Sequence, residues 1–114
     1  HCVAIYPPED KQVNLNKILT LKKLYPYPIG FSDHSLGIEM PIASIALGAR
    51  VIEKHFTIDK KMEGWDHHMS VDENEMKQIS EKICYNLRVY QAFLNDLKNI
   101  NRLDFFSRHA VRCK

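Results

Sequence analysis

Residues 29–34 read Ile29-Gly30-Phe31-Ser32-Asp33-His34, and residues 49–57 read Ala49-Arg50-Val51-Ile52-Glu53-Lys54-His55-Phe56-Thr57. Each is a short apolar run that ends in acidic and imidazole groups. Between them, Ile38 to Leu47 reads as a helix. Pro41 fits only in its first turn, where a missing N–H is no loss, and Ala43, Ser44 and Ala46 allow close packing on a sheet. Gly48 is a natural stop before the second run. Strand, helix, strand is the parallel βαβ unit, and in such sheets chemistry gathers at the carboxyl ends of the strands. Two successive strands that both finish in histidine bring two imidazoles to one rim. That outlines a metal or catalytic site.

The flanking segments read as support. His1 to Tyr6 is a β-type run stopped by Pro7-Pro8, and Pro7 to Val13 is a polar loop. From Asn14, a good N-cap, Leu15, Ile18, Leu19 and Tyr25 recur at helical spacing until Pro26 and Pro28 end the helix. Thr57 to Met69 is a loop rich in charge and histidine, hinged at Gly64. Ser70-Val71-Asp72-Glu73 has capping-box spacing. Met76, Ile79, Ile83, Leu87, Tyr90, Leu94 and Leu97 then mark a long helix to about Lys98. Residues 1–98 form the α/β part, and 99–114 a tail of unassigned structure. The order β-α-β-α-β-loop-α has too few elements to cover both faces of a parallel sheet. The expectation is three βα units of a larger barrel or doubly wound sheet, with an open edge prone to association.

Composition excludes more than it selects. The 114 residues suffice for one domain at most. Hydrophobic content of 45%, charged content of 26% and a formal charge of +2 are those of an ordinary globular chain. No basic block points to nucleic acid, and no apolar run of about 18 residues points to a membrane span. The three cysteines, Cys2, Cys84 and Cys113, lack CxxC spacing, which suggests neither a disulfide framework nor a zinc ribbon. A reducing, cytoplasmic setting fits best. The chain opens without methionine or signal peptide, so a fragment or processed form is expected.

Alternation along a strand groups the candidate residues. Glu53 and His55 are two apart and share a face, as do Ser32 and His34. These make one inward quartet, while Asp33 and Lys54 point the other way and read as a salt bridge or cap. Imidazole suits zinc, manganese, iron or nickel, and two histidines leave coordination positions open, as catalytic sites do. Serine is fit to bind a phosphate oxygen, and glutamate to orient a sugar hydroxyl or move a proton. Adjacent residues rarely ligate one ion together, so at least one of His67 and His68 is expected to face solvent. Trp65 reads equally as a sugar-stacking platform or a packing residue that pins the loop. Cys2 reads as a buried apolar group rather than a nucleophile.

Together, His1-Cys2, Tyr6-Pro7, Phe31-Ser32-Asp33-His34-Ser35-Leu36-Gly37, Ala46-Leu47-Gly48-Ala49, Val51 to Thr57 and the Gly64 to Ser70 loop resemble the N-acetylneuraminate (sialic acid) synthase family, which includes legionaminate and pseudaminate synthases. The likeness covers residues 1 to 98. It implies a partial TIM (β/α)8 barrel, of which this chain supplies the last three βα units. It also implies condensation of phosphoenolpyruvate with an N-acetylated amino sugar, such as N-acetylmannosamine, to a nine-carbon 2-keto acid with release of phosphate. A divalent metal, typically Mn2+, is implied on His34 and His55. Ser32 matches a phosphoenolpyruvate contact, and Glu53, Tyr6 and Asp66 match positions lining the sugar site, Glu53 being the catalytic candidate. A homodimer of the full-length protein is implied, with no nucleic-acid or membrane partner.

Three positions depart from the family pattern. Ala4 stands where an asparagine is usual, Trp65 where a proline is common, and His68 where a smaller residue is often found. The first five strands and the C-terminal antifreeze-like domain have no counterpart in these residues, so the chain alone is expected to be inactive. The alternatives are a non-catalytic metal-binding or interaction module and another metal-dependent barrel aldolase or isomerase.

Overall fold

The computed structural model describes residues 1–101, with side chains described through residue 95. Its centre is a parallel pair of strands, β1 (Gly30–Asp33) and β2 (Val51–Lys54), in the register Gly30↔Val51, Phe31↔Ile52, Ser32↔Glu53, Asp33↔Lys54. The approach at the first pair needs glycine: a Cβ on Gly30 would lie 3.3 Å from that of Val51. Alternation then sorts the residues onto two faces. Phe31 and Asp33 are buried, whereas Val51 and Glu53 are exposed.

The buried face carries the core of Val13, Ile18, Ile29, Phe31 and Ala49, flanked by Leu15, Leu21, Met40, Ile45, Leu47 and Ile52. Burying each large apolar side chain contributes roughly 1.5–3 kcal/mol. These residues come from α2 (Asn16–Leu24), α3 (Glu39–Ala46) and the segments around them. A helical turn, α1 (Asp10–Val13), precedes α2 and buries Val13. Single parallel bridges extend the strand pairing, Cys2 to Ser32 and Phe56 to Val71. The last element is α4 (Glu73–Asn101).

The chain divides into two compact units, one spanning His1–Ile79 and one beginning at Ser80. Both strands lie in the first. Within the second, Tyr85, Val89, Tyr90 and Phe93 are each at least half exposed. No helix among the described residues is long and apolar enough to cross a membrane.

Several local expectations are corrected. The run His1 to Tyr6 makes one bridge rather than a strand, because the Val3 carbonyl is taken by the His34 ring instead of a ladder partner. The strand expected over Ala49 to Phe56 is regular only from Val51 to Lys54. Asn14 is not the cap of α2; it ends α1 in the left-handed conformation, with φ 47°. The reciprocal cap of α4 sits two residues downstream of the expected one. Asp72 N–H donates to Glu75 and Glu75 N–H donates to Asp72, while the Ser70 hydroxyl donates to the Asp66 carbonyl. Cys2 is an exposed free thiol rather than a buried one. The expectation for the tail lies outside the described residues from Arg102 onward.

Candidate functional site

The open face of the sheet carries the polar candidates. Ser32 and Glu53 are cross-strand partners, and the Ser32 hydroxyl donates to Glu53 Oε1 at 2.6 Å. One step beyond the strand ends, the His34 and His55 rings meet edge to face, with centroids 5.2 Å apart. Tyr6 packs against both, 4.1 Å from the His34 ring and 6.0 Å from that of His55. Tyr6 remains half exposed, so the cluster is open to solvent on that side.

The hydrogen bonds decide which ring nitrogens are available. His34 Nδ1 lies 3.0 Å from the Val3 carbonyl, which can only accept, so Nδ1 carries the hydrogen and Nε2 keeps its lone pair. Cys2 Sγ stands 3.9 Å from the same nitrogen. His55 Nδ1 faces the Asp66 carboxylate at 3.5 Å, which likewise favours the hydrogen there. Carbonyl or carboxylate behind Nδ1 is the usual support of a metal-binding imidazole. With Nδ1 so engaged, Nε2 is the nitrogen each ring could offer to a cation. No group of three or more His, Cys, Asp or Glu side chains disposed to hold a metal occurs among the described residues. A two-nitrogen set is far from the four-ligand closure of a structural zinc site.

Asp66 belongs to the loop between Thr57 and Val71, whose ends are stitched together. Thr57 N–H donates to the Val71 carbonyl at 2.9 Å, and Val71 N–H to that of His55 at 2.8 Å. Inside the loop, the Thr57 hydroxyl donates to the Asp59 carbonyl and accepts from His67 Nδ1 at 2.8 Å. His68 is exposed, so one histidine of the pair faces solvent and the other is held. Trp65 is 94% exposed, which does not fit a packing role. The Val3 carbonyl and the Thr57 hydroxyl were missed in the sequence reading. Nothing in sequence spacing signals the first, whereas Thr57, two residues past His55, had a visible position.

Behind the site, Lys54 Nζ meets Asp33 Oδ2 at 2.6 Å, with side chains only 2% and 0% exposed. This is the ion pair expected for the outward residues.

Residues 1–92 match the model of the NeuB family. The chain belongs to the NeuB family. An uncharacterised relative from Methanocaldococcus jannaschii is 54% identical over 100 residues, covering 88% of this chain and 28% of its own. The N,N'-diacetyllegionaminic acid synthase of Campylobacter jejuni is 42% identical over 96 residues, covering 84% of this chain and 28% of its own. Among solved structures, the N-acetylneuraminic acid synthetase of Leptospira borgpetersenii superposes with a TM-score of 0.71 at 34% identity. That match covers 96% of this chain and 35% of the other. The α/β fold is thus similar to that of a sialic acid synthase. This NeuB chain spans about a third or less of the length of the relatives it matches.

Proposed function

We propose that this chain provides the sugar- and metal-binding part of a sialic-acid-type synthase. The parent reaction would join phosphoenolpyruvate to an N-acetylated amino sugar, giving a nine-carbon 2-keto sugar acid and phosphate. The observation that carries this reading is the pairing of His34 with His55, both with Nε2 free, beside the Ser32–Glu53 bond on the open face. His34 and His55 would hold a divalent cation, with Mn2+ the first candidate. Such an ion, when bound, supplies Lewis-acid polarisation of an aldehyde oxygen.

The chain's own residues divide the remaining work. Ser32 presents a hydroxyl able to leave Glu53 for a phosphate oxygen. Glu53, exposed and already sharing a proton donor, is placed to orient a sugar hydroxyl or to move a proton. Tyr6, packed on both histidine rings, and Asp66, facing His55, would line the sugar. Trp65, exposed beside Asp66, is available to stack on a sugar face. In the same reading, β1 and β2 belong to the last three units of a TIM barrel, and the complete protein is a cytoplasmic homodimer with no nucleic-acid or membrane partner. By itself the chain has negligible turnover, because the remaining phosphoenolpyruvate-binding groups are supplied elsewhere.

The test is phosphate release from phosphoenolpyruvate with manganese, using N-acetylmannosamine and then a diacetylated sugar. It is run on the chain alone and on the chain joined to the N-terminal part of the Campylobacter relative. Release only from the joined protein, lost in His34→Ala, supports the reading. Turnover by the chain alone contradicts the division of labour, and silence with every sugar favours a non-catalytic metal-binding module.

A further inference from the structure

Phe31↔Ile52 and Asp33↔Lys54 occupy the same buried face, two rungs apart, with Ser32↔Glu53 between them on the other face. The first rung is filled by apolar side chains, as an interior rung ordinarily is. The second holds two charges with almost no exposure. Apolar residues of similar volume would serve stability at least as well, since desolvating two ions offsets much of their attraction. What an ion pair adds is direction and distance.

Its connections all lead to the residues beside the histidines. Asp33 Oδ2 accepts from Lys54 Nζ at 2.6 Å. Asp33 Oδ1 accepts the Ser35 N–H at 3.0 Å and the Ser35 hydroxyl at 2.7 Å. Lys54 Nζ also donates to the Ser35 carbonyl at 2.6 Å. Residues 33 and 35 flank His34, and residue 54 precedes His55. The network therefore ties both flanks of one imidazole to the backbone carrying the other. A one-residue slip of either strand would part the charges in a place without water, so the pair also locks register where the strands end.

We propose that the buried Asp33–Ser35–Lys54 network is a positioning device that sets His34 against His55 and thereby tunes the affinity of the two-histidine site for a divalent cation. The proposal rests on the metal-site reading above. Its members act through the backbone, from the face opposite the one that carries Ser32 and Glu53.

The test uses the full 114-residue chain and Co2+ alone as the probe. The readouts are the dissociation constant, the visible absorption of the bound ion, and the melting curve of the metal-free chain. The paired variant Asp33→Asn/Lys54→Met removes both charges and leaves no unpaired ion. The expected result is a cooperative melt with cobalt binding weakened by about 10–100-fold and an altered absorption band, the size typical for loss of support behind a metal ligand. Lys54→Arg, which keeps the charge, is expected to recover most of that affinity. Where the paired variant does not fold, Asp33→Asn alone serves, since its Oδ1 still accepts from Ser35. Weaker cobalt binding by that folded variant supports the proposal. A folded paired variant or a folded Asp33→Asn variant with the parental affinity and spectrum overturns it, as does loss of the fold in both, which would make the network purely structural. If the parent chain itself binds no cobalt, the metal-site reading fails first, and the positioning role falls with it.

Discussion

The Ser32 hydroxyl and the Glu53 carboxylate are joined at 2.6 Å across the one rung of the sheet whose side chains are both polar and open to solvent. An exposed hydrogen bond of this kind adds little to stability, about 0.5–1.5 kcal/mol at most. Its value lies in presenting a hydroxyl and a carboxylate together. Glu53→Gln keeps the shape and removes the proton acceptor. Phosphate release by the joined protein should fall about 10²–10⁴-fold with the melting temperature nearly unchanged. Parallel rate and melting measurements on the parent and the variant check this.

Removing either imidazole should act on cation binding directly. His34→Ala and His55→Ala are each expected to weaken manganese or cobalt binding by more than the about 10–100-fold that loss of a supporting partner costs. His34 is 5% exposed and His55 much more open, so only the first should also lower the melting temperature. Titration calorimetry together with thermal melts separates the two effects. A chelator should leave the parent's fold intact, because the core of Val13, Ile18 and Phe31 is built without the ion.

Lys54→Met alone strands the Asp33 carboxylate in the interior. Breaking one side of a buried pair costs about 3–5 kcal/mol, much of it for the charge left behind. Urea unfolding should show that loss, and Asp33→Asn added to it should recover part of the stability. Equal stability of the parent and the single variant would mean that water reaches Asp33.

At Gly64 the φ angle is 149°, and a Cβ there would lie 2.7 Å from His67 Cδ2. Gly64→Ala therefore has to move the His67 ring away from Thr57. The expected penalty is about 1–3 kcal/mol, confined to the loop. Faster proteolytic cleavage between residues 58 and 68, with an unchanged global melt, is the expected signature. A changed His67 ring resonance in the NMR spectrum provides a second check.

Strand parity made the sorting of side chains onto the two faces of the sheet readable in advance. Ser32, His34, Glu53 and His55 are separated by twos within their strands, and pleating alone puts each pair on one face. The same parity sent Asp33 and Lys54 to the buried side, where they pair. Local rules failed where the partner is distant or competing. The Val3 carbonyl bonds to His34, 31 residues away, and so the first segment never builds a ladder. Asn14 and Ser70 both have good N-cap chemistry. Asn14, however, closes the turn before it, and the Ser70 hydroxyl is already donated to Asp66. Cap residues announce a boundary but not which side of it they serve.

The backbone bonds joining Thr57 to Val71 and Val71 to His55 close the mouth of the 58–70 excursion with main-chain atoms. The two bonds themselves need only a backbone N–H, which every residue but proline supplies. Lengthening a loop pinned in this way costs only about 0.6 kcal/mol for each doubling. The excursion is therefore an exchangeable cassette. Evolution can rewrite the part nearest Asp66 and Trp65 while the two strand-end histidines stay where they are.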